Sequence, residues 1–549
     1  MTVGDLVAAF LERCGVGLAF GVISIHNMPI LDAIHRRGRI RFVPARGEAG
    51  AANMADAAAR VSGGLGVVVT STGTGAGNAA GALVEALTAG TPLLHITGQI
   101  DTPYLDRGFG YIHEAPAQLA MLKAVSKSAF RIAAPEEALP VLREAVRAAH
   151  SAPSGPVSVE IPIDVQAAAI APPADLSPLP VLPPAPDPVL LDRLAERVAQ
   201  SRRVLLWLGG GARDAGVAVA ELAALGLGVV TSTAGRGVLP EDHRLSLGTF
   251  GAAPAVEKLY DSVDLMVVVG SHLRGNETHS YTLKLPAARV RVDADPAAES
   301  RSYSCAMFVR GDGAAVLAGL ARRLNGRALS FDPGFAAEIG AARRAAEAGL
   351  RKNAGAYAPL IDALARQMPP DALWVRDITL SNSIWGNRTP NMTAARRAVH
   401  AMGGGIGQGL PMAIGAALAL PGRRTVAVVG DGGLALSLGE LATLAETRAP
   451  VTLLLMNDGG YGVIRNIQDN AYDGRRCYAD LLAPRWGLLA ESLGISHRLV
   501  RDLGDFPTIF AAALGMGGPS IIEIDMPAVG PFGIKFGGFP PPAKPGRGR

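Results

Sequence analysis

The stretch TVAVVGDGG at residues 425–433, followed by VTLLLMNDGGYG at residues 451–462, decides the fold of this chain. Each stretch begins with a continuous apolar run and ends in a turn of glycine and aspartate. Similar apolar runs occur at residues 65–72, 92–98 and 203–209. Continuous apolar strands of this kind are typical of parallel sheets that helices cover on both faces. The sequence therefore predicts an α/β protein.

The two ends of the chain follow one plan. Near the N-terminus the strand VVVTST runs into the turn GTGAGN, a helix, a Thr-Pro dipeptide and a second strand. Near the C-terminus VAVVGD runs into GGLALS, a helix, an Ala-Pro dipeptide and a second strand. Val67 lies 25 positions before Pro92, and Val426 lies 24 positions before Pro450. We infer a duplicated α/β unit on either side of a different middle unit; chance similarity of generic strand–helix–strand units is the alternative.

A proline-rich stretch, APPADLSPLPVLPPAPDP from Ala171, separates the first two segments. So many prolines remove backbone donors and fix φ that neither a helix nor an inner strand can form there. We expect three doubly wound parallel-sheet domains with a linker and a tail: an N-terminal domain at 1–170, the linker at 171–190, a Rossmann-like middle domain at 191–330, a C-terminal domain at 355–535, and a flexible tail at 536–549.

Composition and charge exclude several functional classes. The 549 residues are 49% apolar and 18% charged, which is typical of a globular protein. A net charge of +4 without a dense Lys/Arg block argues against a nucleic-acid partner. Three scattered cysteines build neither a disulfide framework nor a CxxC metal site, and no apolar run reaches the length of a membrane span. We expect a soluble, cytoplasmic protein that binds neither nucleic acid nor membrane.

The glycine and aspartate turns carry the chemistry. A strand-end turn of small residues exposes backbone N–H groups at the start of a helix, where a diphosphate binds well. Asp431 and Asp458 follow two strands that we expect to be adjacent, so their oxygens can converge on one hard cation. Two solvated strand-end turns are the alternative. The presence of two acidic turns, 27 positions apart, favours the cation.

GDGG and the later MNDGGYG resemble the cofactor motif of thiamine-diphosphate enzymes, in the group that contains acetolactate synthase, benzaldehyde lyase and pyruvate oxidase. That motif opens with GDG and closes with a strand that ends in Asn-Asn. The resemblance implies thiamine diphosphate and Mg²⁺ as cofactors, with Asp431 as the first metal ligand and the Gly460 carbonyl as the third. Asp458 stands where the family has its second metal ligand, an asparagine, so the site gains a negative charge. The motif also implies cofactor contacts at Gly432, Gly433, Tyr461 and Gly462.

Glu48 lies in the segment ARGEAGAANMADAAAR, at the start of an Ala-rich helix that follows the strand RFVPA. By composition alone, Glu48 is an acid stabilised by the helix dipole. The resemblance implies a different role, because the family carries a glutamate here in an R-x-E or H-E motif. That glutamate hydrogen-bonds the cofactor's aminopyrimidine and promotes loss of the thiazolium C2 proton. We therefore predict that Glu48 is catalytic.

Two further segments match parts of the family that contact the cofactor. In HAMGGGIGQGLPMAIGAALA, Ile406 falls at the large apolar position between the two cofactor rings and the Gly404 carbonyl at the aminopyrimidine amine. Ser381 and Asn382, in DITLSNSIWG, match the strand end that touches the diphosphate. A glycine-rich turn before an alanine helix is also common without a ligand. We expect the middle domain, with its weak GGG turn, to be structural, with vestigial FAD binding as the alternative.

Two histidines are the best clues to the reaction. His26 aligns with an active-site histidine of benzaldehyde lyase, and His113 falls where that enzyme and acetolactate synthase carry glutamine. We predict proton transfer or substrate orientation for the pair, with surface or capping roles as the alternative. Ile467 replaces a tryptophan of the acetolactate synthase substrate channel. Arg465 beside it is either a receptor for a substrate carboxylate or a solvated arginine at the mouth of the site.

The resemblance also implies an assembly and a reaction. Glu48 and GDGG lie in opposite end domains, and the family builds each site between two subunits, so we expect a homodimer at least; a homotetramer is common. Our hypothesis is decarboxylation of a 2-oxo acid followed by transfer of the activated aldehyde to a second carbonyl, as in acetolactate synthase. Release by protonation, acyloin cleavage of the benzaldehyde lyase type and a catalytically silent cofactor-binding subunit are the alternatives, and Glu48 argues against silence.

Overall fold

The N-terminal residues fold into a parallel sheet with helices on both faces. The computed structural model describes residues 1–536. The sheet has the strand order β2-β1-β3-β4-β6-β5. Its strands are β1 (Leu18–Gly21), β2 (Arg41–Pro44), β3 (Gly66–Thr70), β4 (Leu93–Gln99), β5 (Ser128–Arg131) and β6 (Pro156–Pro162). Its helices are α1 (Val3–Arg13), α2 (Met28–Arg37), α3 (Glu48–Ser62), α4 (Thr74–Asn78), α5 (Ala80–Ala89), α6 (Gln118–Val125), α7 (Ala138–His150) and α8 (Ile163–Ala167).

The middle residues form a five-stranded parallel sheet with the order β11-β10-β9-β7-β8. Its strands are β7 (Val204–Leu208), β8 (Gly228–Thr231), β9 (Leu265–Val269), β10 (Arg289–Asp293) and β11 (Met307–Arg310). Its helices are α9 (Pro188–Gln200), α10 (Gly216–Leu225), α11 (Pro254–Leu259) and α12 (Gly313–Leu324). A long helix, α13 (Phe335–Ala354), buries its first apolar residues against β8 and so belongs to this unit by packing.

The C-terminal sheet has the order β13-β12-β14-β15-β17-β16. Its strands are β12 (Leu373–Arg376), β13 (Ala398–His400), β14 (Thr425–Gly430), β15 (Val451–Asn457), β16 (Ser496–Val500) and β17 (Ser520–Asp525). Its helices are α14 (Ala358–Gln367), α15 (Gly409–Ala419), α16 (Asp431–Leu436), α17 (Glu440–Thr447), α18 (Gly462–Ala471), α19 (Trp486–Ser492), α20 (Phe506–Leu514) and α21 (Met526–Val529).

The three-domain α/β prediction is confirmed, and the topology also supports the duplication. Counted within its own domain, each six-stranded sheet has the order 2-1-3-4-6-5. The strand pairs of all three sheets are parallel. The central strands β3, β7 and β9 are buried along their whole length, as continuous apolar runs require.

Helices α3 and α15 pack directly on each other and join the two end domains. Both helices are rich in alanine and glycine, and one apolar core contains buried residues of both. A side chain at Gly415 would overlap the carbonyl of Met54, so glycine is required at this crossing. The close contact of these two helix backbones therefore fixes the position of α3, which follows β2, relative to α15, which follows β13.

Residues 171–187 form no helix or strand, as the proline content predicts. Helix α9 begins at Pro188, so the linker ends before residue 190, because proline is well tolerated at the first turn of a helix. No helix among residues 1–536 is long and apolar enough to cross a membrane. The predicted flexible tail falls, after Phe536, outside the described residues.

Candidate active site

The two acidic turns meet at one edge of the C-terminal sheet. Strands β14 and β15 are adjacent, with Gly430 paired to Met456. Asp431 begins α16 and Asp458 follows β15 directly. The Asp458 backbone N–H donates to Asp431 Oδ1 at 3.2 Å. The predicted convergence of the two aspartates thus follows from parallel strands that end at the same edge.

The donor set at this edge fits a divalent cation. Asp431 is buried, and its Oδ2 has no hydrogen-bond partner within the described residues. Burial raises the pKa of Asp431. Burial also raises the pKa of Asp458 to about 6; Arg465 opposes this rise, and the charge of Asp431 adds to it. The Gly460 carbonyl lies beside Gly432, where an added Cβ would be 2.9 Å from its oxygen. Two carboxylates and a carbonyl are oxygen ligands of the kind Mg²⁺ prefers.

Glycines are required around these turns by packing. A Cβ at Gly432 would lie 2.7 Å from the ring of Tyr461, and one at Gly462 would overlap Asp458 Oδ2. A Cβ at Gly433 would lie 3.0 Å from Oδ2 of the buried Asp377. The turn residues implied by the cofactor motif are therefore in mutual contact. Small residues here leave the start of α16 open to a ligand.

The loop after β13 presents Gly404 and Ile406 to the surface of the domain. Gly404 has a φ of +84°, and the Ile406 side chain remains 38% exposed. Asp377 holds the loop, because its Oδ2 accepts from the Gly407 N–H at 3.1 Å. Burial raises the pKa of Asp377 to about 6, against four backbone hydrogen bonds that lower it. Asp377 was missed from sequence, although an aspartate directly after β12 was a usable signal.

A buried charge network, also missed from sequence, ties this loop to the N-terminal domain. Both oxygens of Glu85 accept from the loop: Oε1 from the Met402 N–H and Oε2 from the Gly403 N–H, each at 2.6 Å. Arg60 donates to Glu85 Oε1 at 2.7 Å and to the His400 carbonyl at 2.6 Å. Glu85 is 1% exposed. The network thereby fixes the loop that carries Ile406.

Replacing Glu85 with glutamine is expected to lower the free energy of unfolding by about 2 kcal/mol. The variant loses charge-assisted hydrogen bonds in a buried site, and among residues 1–536 Arg60 keeps only Asp56 as a counter-charge. Urea unfolding followed by far-UV circular dichroism measures the change. Glu144→Gln, at an exposed i,i+3 pair with Arg147, is the matched control and should stay within about 0.5 kcal/mol of the parent. Equal effects of the two variants would contradict the assigned role of Glu85.

Glu48 begins α3, as the sequence predicts, and is half-buried. Asn78, the last residue of α4, donates to Glu48 Oε2 at 3.1 Å. The Glu48 Oε1 atom lies against Gly75, 2.9 Å from where a Cβ would be. Glu48 thus lies at the contact of α3 with α4 in the N-terminal domain, whereas Asp431 and Asp458 lie at the edge of the C-terminal sheet. We refer to these two groups of residues as the two half-sites.

His26 and His113 contact each other at the same edge of the N-terminal sheet as Glu48. Their ring centroids are 5.1 Å apart in an edge arrangement at 61°. His26 is only 3% exposed, and its Nδ1 has no partner within the part of the chain that the structure describes. Burial and the neighbouring His113 lower the pKa of His26, while Asp101 opposes them. These effects favour the neutral imidazole of His26, which can accept a proton.

Helix α4 connects the histidines with Glu48. Gly73 precedes α4, and a side chain there would overlap the His113 carbonyl oxygen. The side chain of Gln118 accepts from the Gly73 N–H at 2.6 Å and donates to buried Glu160 at 2.9 Å. Nothing in the sequence around Gln118 signalled this positioning role. The start of α4 thus contacts the loop that carries His113, which we call the histidine loop. The last residue of α4 binds Glu48.

Comparison with known proteins decides the family. Three family models of the thiamine pyrophosphate (TPP) enzymes match the chain. The N-terminal TPP-binding domain matches residues 1–121, the central domain residues 191–320, and the C-terminal TPP-binding domain residues 380–524. The chain belongs to the thiamine pyrophosphate enzymes. It is similar to a probable 2-ketoarginine decarboxylase of Pseudomonas aeruginosa, with 33% identity over 95% of this chain and 94% of the relative.

Acetolactate synthases are also similar to the chain. The large subunit of the Mycobacterium tuberculosis enzyme is 30% identical over 90% of this chain and 83% of its own length. A chloroplastic acetolactate synthase of rice is 28% identical over 95% of this chain and 84% of its own length. The protein is accordingly a thiamine-diphosphate-dependent enzyme of the transferase or lyase kind, and Mg²⁺ is the usual partner metal in this family.

Arg465 of this thiamine pyrophosphate enzyme is paired with two carboxylates of the chain. Its Nη2 lies 2.8 Å from Asp458 Oδ1, and its Nη1 lies 2.7 Å from Asp480 Oδ1. A contact of this guanidinium with a substrate carboxylate stays a prediction. The extra negative charge expected from Asp458 is compensated by Arg465.

Ser381 and Asn382 also lie differently from the prediction. Strand β12 ends at Arg376, and the two residues lie in a short helical turn that continues as a π-helix over Asn382–Gly386. Both are buried, and neither Ser381 Oγ nor Asn382 Oδ1 has a partner within residues 1–536. Buried polar atoms of this kind are compatible with a polar ligand such as a diphosphate.

A cavity of about 450 Å³ lies between the middle and end domains, at the carboxyl ends of the middle strands. Its lining includes Gly211, Arg213, Ser271 and Arg274. Arg274 donates to the Met402 carbonyl at 3.1 Å, one residue before the loop glycines. Neither the structural role of the middle domain nor the alternative of FAD binding is tested by this geometry, and both stay predictions.

Proposed function

We propose that this thiamine pyrophosphate enzyme decarboxylates a 2-oxo acid and releases the product as an aldehyde after protonation. The observation that carries the proposal is the contact between His26 and His113 beside Glu48. Two imidazoles in contact at one edge can pass a proton between them, which the protonation of the product in a simple decarboxylase requires. The similar protein of Pseudomonas aeruginosa bears the name of a decarboxylase.

Each residue of the two half-sites has a role in the proposal. Thiamine diphosphate supplies the carbon nucleophile and the electron sink when it is bound. Asp431, Asp458 and the Gly460 carbonyl would hold Mg²⁺ on the diphosphate, and Ile406 and Gly404 would support the two rings. Further contacts to the cofactor are proposed for Ser381, Asn382, Gly432, Gly433, Tyr461 and Gly462. Glu48 holds a proton at the aminopyrimidine, and the histidines move a proton to the product.

The two half-sites suggest that each active site combines two subunits. Large apolar side chains are exposed around the N-terminal half-site, at Ile23, Ile25, Phe109 and Ile112, which are 60–70% exposed. Leu436, beside the acidic turns, is 60% exposed. Contiguous exposed apolar groups are typical of surfaces that another chain covers. We propose a homodimer at least, and a homotetramer as in many family members, in a cytoplasmic setting.

Carbon–carbon ligation is the second candidate function. Several similar proteins are acetolactate synthases that match at least 90% of this chain. In that case the activated aldehyde would pass to a second carbonyl, and the histidines would orient the acceptor; acyloin cleavage is the same chemistry in reverse. The substrate test is CO₂ release from a panel of 2-oxo acids with thiamine diphosphate and Mg²⁺, with products separated by chromatography. Aldehyde supports the first proposal, acyloin or 2-hydroxy-3-oxo acid products support the second, and no CO₂ from any acid contradicts both.

Replacing His113 with glutamine, the residue at this position in the resembling enzymes, is expected to lower aldehyde release by about 10²-fold, because a positioned proton donor typically contributes 10²–10⁴-fold. The ratio of ligated product to aldehyde should rise when an acceptor aldehyde is supplied. Product analysis by chromatography measures both. His35→Gln, at an exposed position on α2, is the control and should not change the ratio. An unchanged ratio in His113→Gln would remove the histidine from proton transfer.

A further inference from the structure

The ion pair between Arg465 and Asp458 has a function that the cofactor motif does not supply. We propose that Arg465 is a positioning residue of the metal site, which holds the Asp458 carboxylate in place and cancels its charge. The inference rests on the proposed binding of thiamine diphosphate with Mg²⁺. It concerns this chain's own departure from the family, in which the corresponding ligand is an asparagine.

Arg465 contacts the acidic turn after β15 and one further carboxylate. Nη2 lies 2.8 Å from Asp458 Oδ1 and donates to the Asp458 carbonyl oxygen at 2.6 Å. Nη1 lies 2.7 Å from Asp480 Oδ1. The Arg465 side chain is only 15% exposed, whereas Asp480 is 78% exposed. The arginine therefore binds both the side chain and the backbone of the proposed second metal ligand.

The position of Arg465 in its helix supports the proposal. Arg465 is the fourth residue of α18, in the first turn, where the helix dipole disfavours a positive charge. The carboxylates of Asp458 and Asp480 supply the compensating negative charge. An arginine at this point of the helix is thus explained by its partners and not by the helix itself.

The geometry also limits where the Asp458 carboxylate can lie. Arg465 binds Oδ1, while Oδ2 lies against Gly462, where any side chain would overlap it. One oxygen is therefore fixed by the arginine, and the other is on the side that the glycine keeps open. Asp480, the other partner of Arg465, is 78% exposed, so solvent screens its charge. Among the buried groups, Asp431 and Asp458 carry two negative charges and Arg465 one positive charge, which leaves a net charge of −1, the value that an aspartate and an asparagine would have.

A double-mutant cycle tests the proposal: Asp458→Asn, Arg465→Gln and the double variant, each titrated with Mg²⁺ at saturating thiamine diphosphate in a calorimeter. Asp458→Asn leaves the guanidinium beside the cation with only the exposed Asp480 as a counter-charge among residues 1–536, and the Kd for Mg²⁺ should rise about tenfold or more. The double variant removes charge and counter-charge together, and its Kd should lie within about threefold of the parent value. In Arg465→Gln the loss of a positive charge favours the cation and the loss of the restraint on Asp458 opposes it, so the Kd should change by less than in Asp458→Asn.

A control and a folding measurement keep the result interpretable. Arg476→Gln removes an arginine of the same segment that pairs with Asp469 at the surface, and it should leave the Kd unchanged. Thermal unfolding without metal shows whether each variant is folded. Equal Kd values for Asp458→Asn and the double variant would overturn the proposal. Failure of the unmodified protein to bind thiamine diphosphate with any divalent cation is a different result, which would overturn the proposed function itself.

Discussion

Replacement of Glu48 with glutamine is expected to lower kcat by about 10²–10⁴-fold, the range typical of general acid–base groups. Glutamine keeps the size of the side chain and a carbonyl oxygen for Asn78, so the start of α3 should remain intact. The carboxylate that we propose to stabilise the reactive tautomer of the aminopyrimidine is lost. Steady-state kinetics with the best 2-oxo acid, combined with calorimetric titration of thiamine diphosphate, separates turnover from binding.

The controls for Glu48 come from the same domain. Glu137→Gln changes an exposed acid that accepts from the Ala133 N–H at 2.8 Å, far from the histidine loop in sequence, and should retain full turnover. Cofactor affinity in Glu48→Gln should change by about tenfold at most, since one charge-assisted hydrogen bond is weakened. Full activity of Glu48→Gln would refute both the proposed mechanism and the half-site built around α4.

Replacement of Asp431 with alanine is expected to have opposite effects on the stability of the metal-free protein and on the binding of cofactor and metal. Burial raises the pKa of Asp431 in the folded protein. A raised folded pKa means that the native state binds the proton more tightly, so stability is greatest below the unfolded pKa and falls as pH rises through the folded one. At pH 7 the ionised, buried carboxylate therefore costs stability without a cation, and its removal should leave the metal-free protein at least as stable as the parent.

When cofactor and metal are bound, the parent protein should be more stable than Asp431→Ala. A ligand at 100 times its Kd stabilises the folded state by about 2.7 kcal/mol, and Asp431→Ala should lose nearly all of this increment. Thermal unfolding with and without thiamine diphosphate and Mg²⁺ gives both values in one experiment. Asp469→Ala, at a surface pair, should keep the increment. An undiminished ligand-induced shift in Asp431→Ala would place the metal elsewhere.

The parts of the site that the sequence predicted are those governed by local rules. Apolar runs identify parallel strands, and the carboxyl ends of such strands meet at one edge, which brought Asp431 and Asp458 together. A helix start after β2 placed Glu48 correctly. The contact of His26 with His113 was anticipated only through their matching positions in related enzymes.

The parts that were missed depend on long side chains and contacts between domains. Arg465 reaches back along α18 to Asp458, a direction that sequence spacing does not reveal. Glu85 binds a loop more than 300 positions later in the chain, so no local pattern marks it. Ser381 directly precedes a π-helix at Asn382–Gly386, a local structure that has no recognisable composition. Tertiary context decided each of these.

The shared 2-1-3-4-6-5 strand order gives the two end domains equivalent edges. Glu48 follows the second strand of its domain, as the Ile406 loop follows the second strand of the other, and α4 and α16 each follow the third. Helices α3 and α15 each follow the second strand of their domain and are therefore topological equivalents. Since they also pack on each other, the two similar units meet through the same element of each, and the glycine required at Gly415 lies at that meeting point.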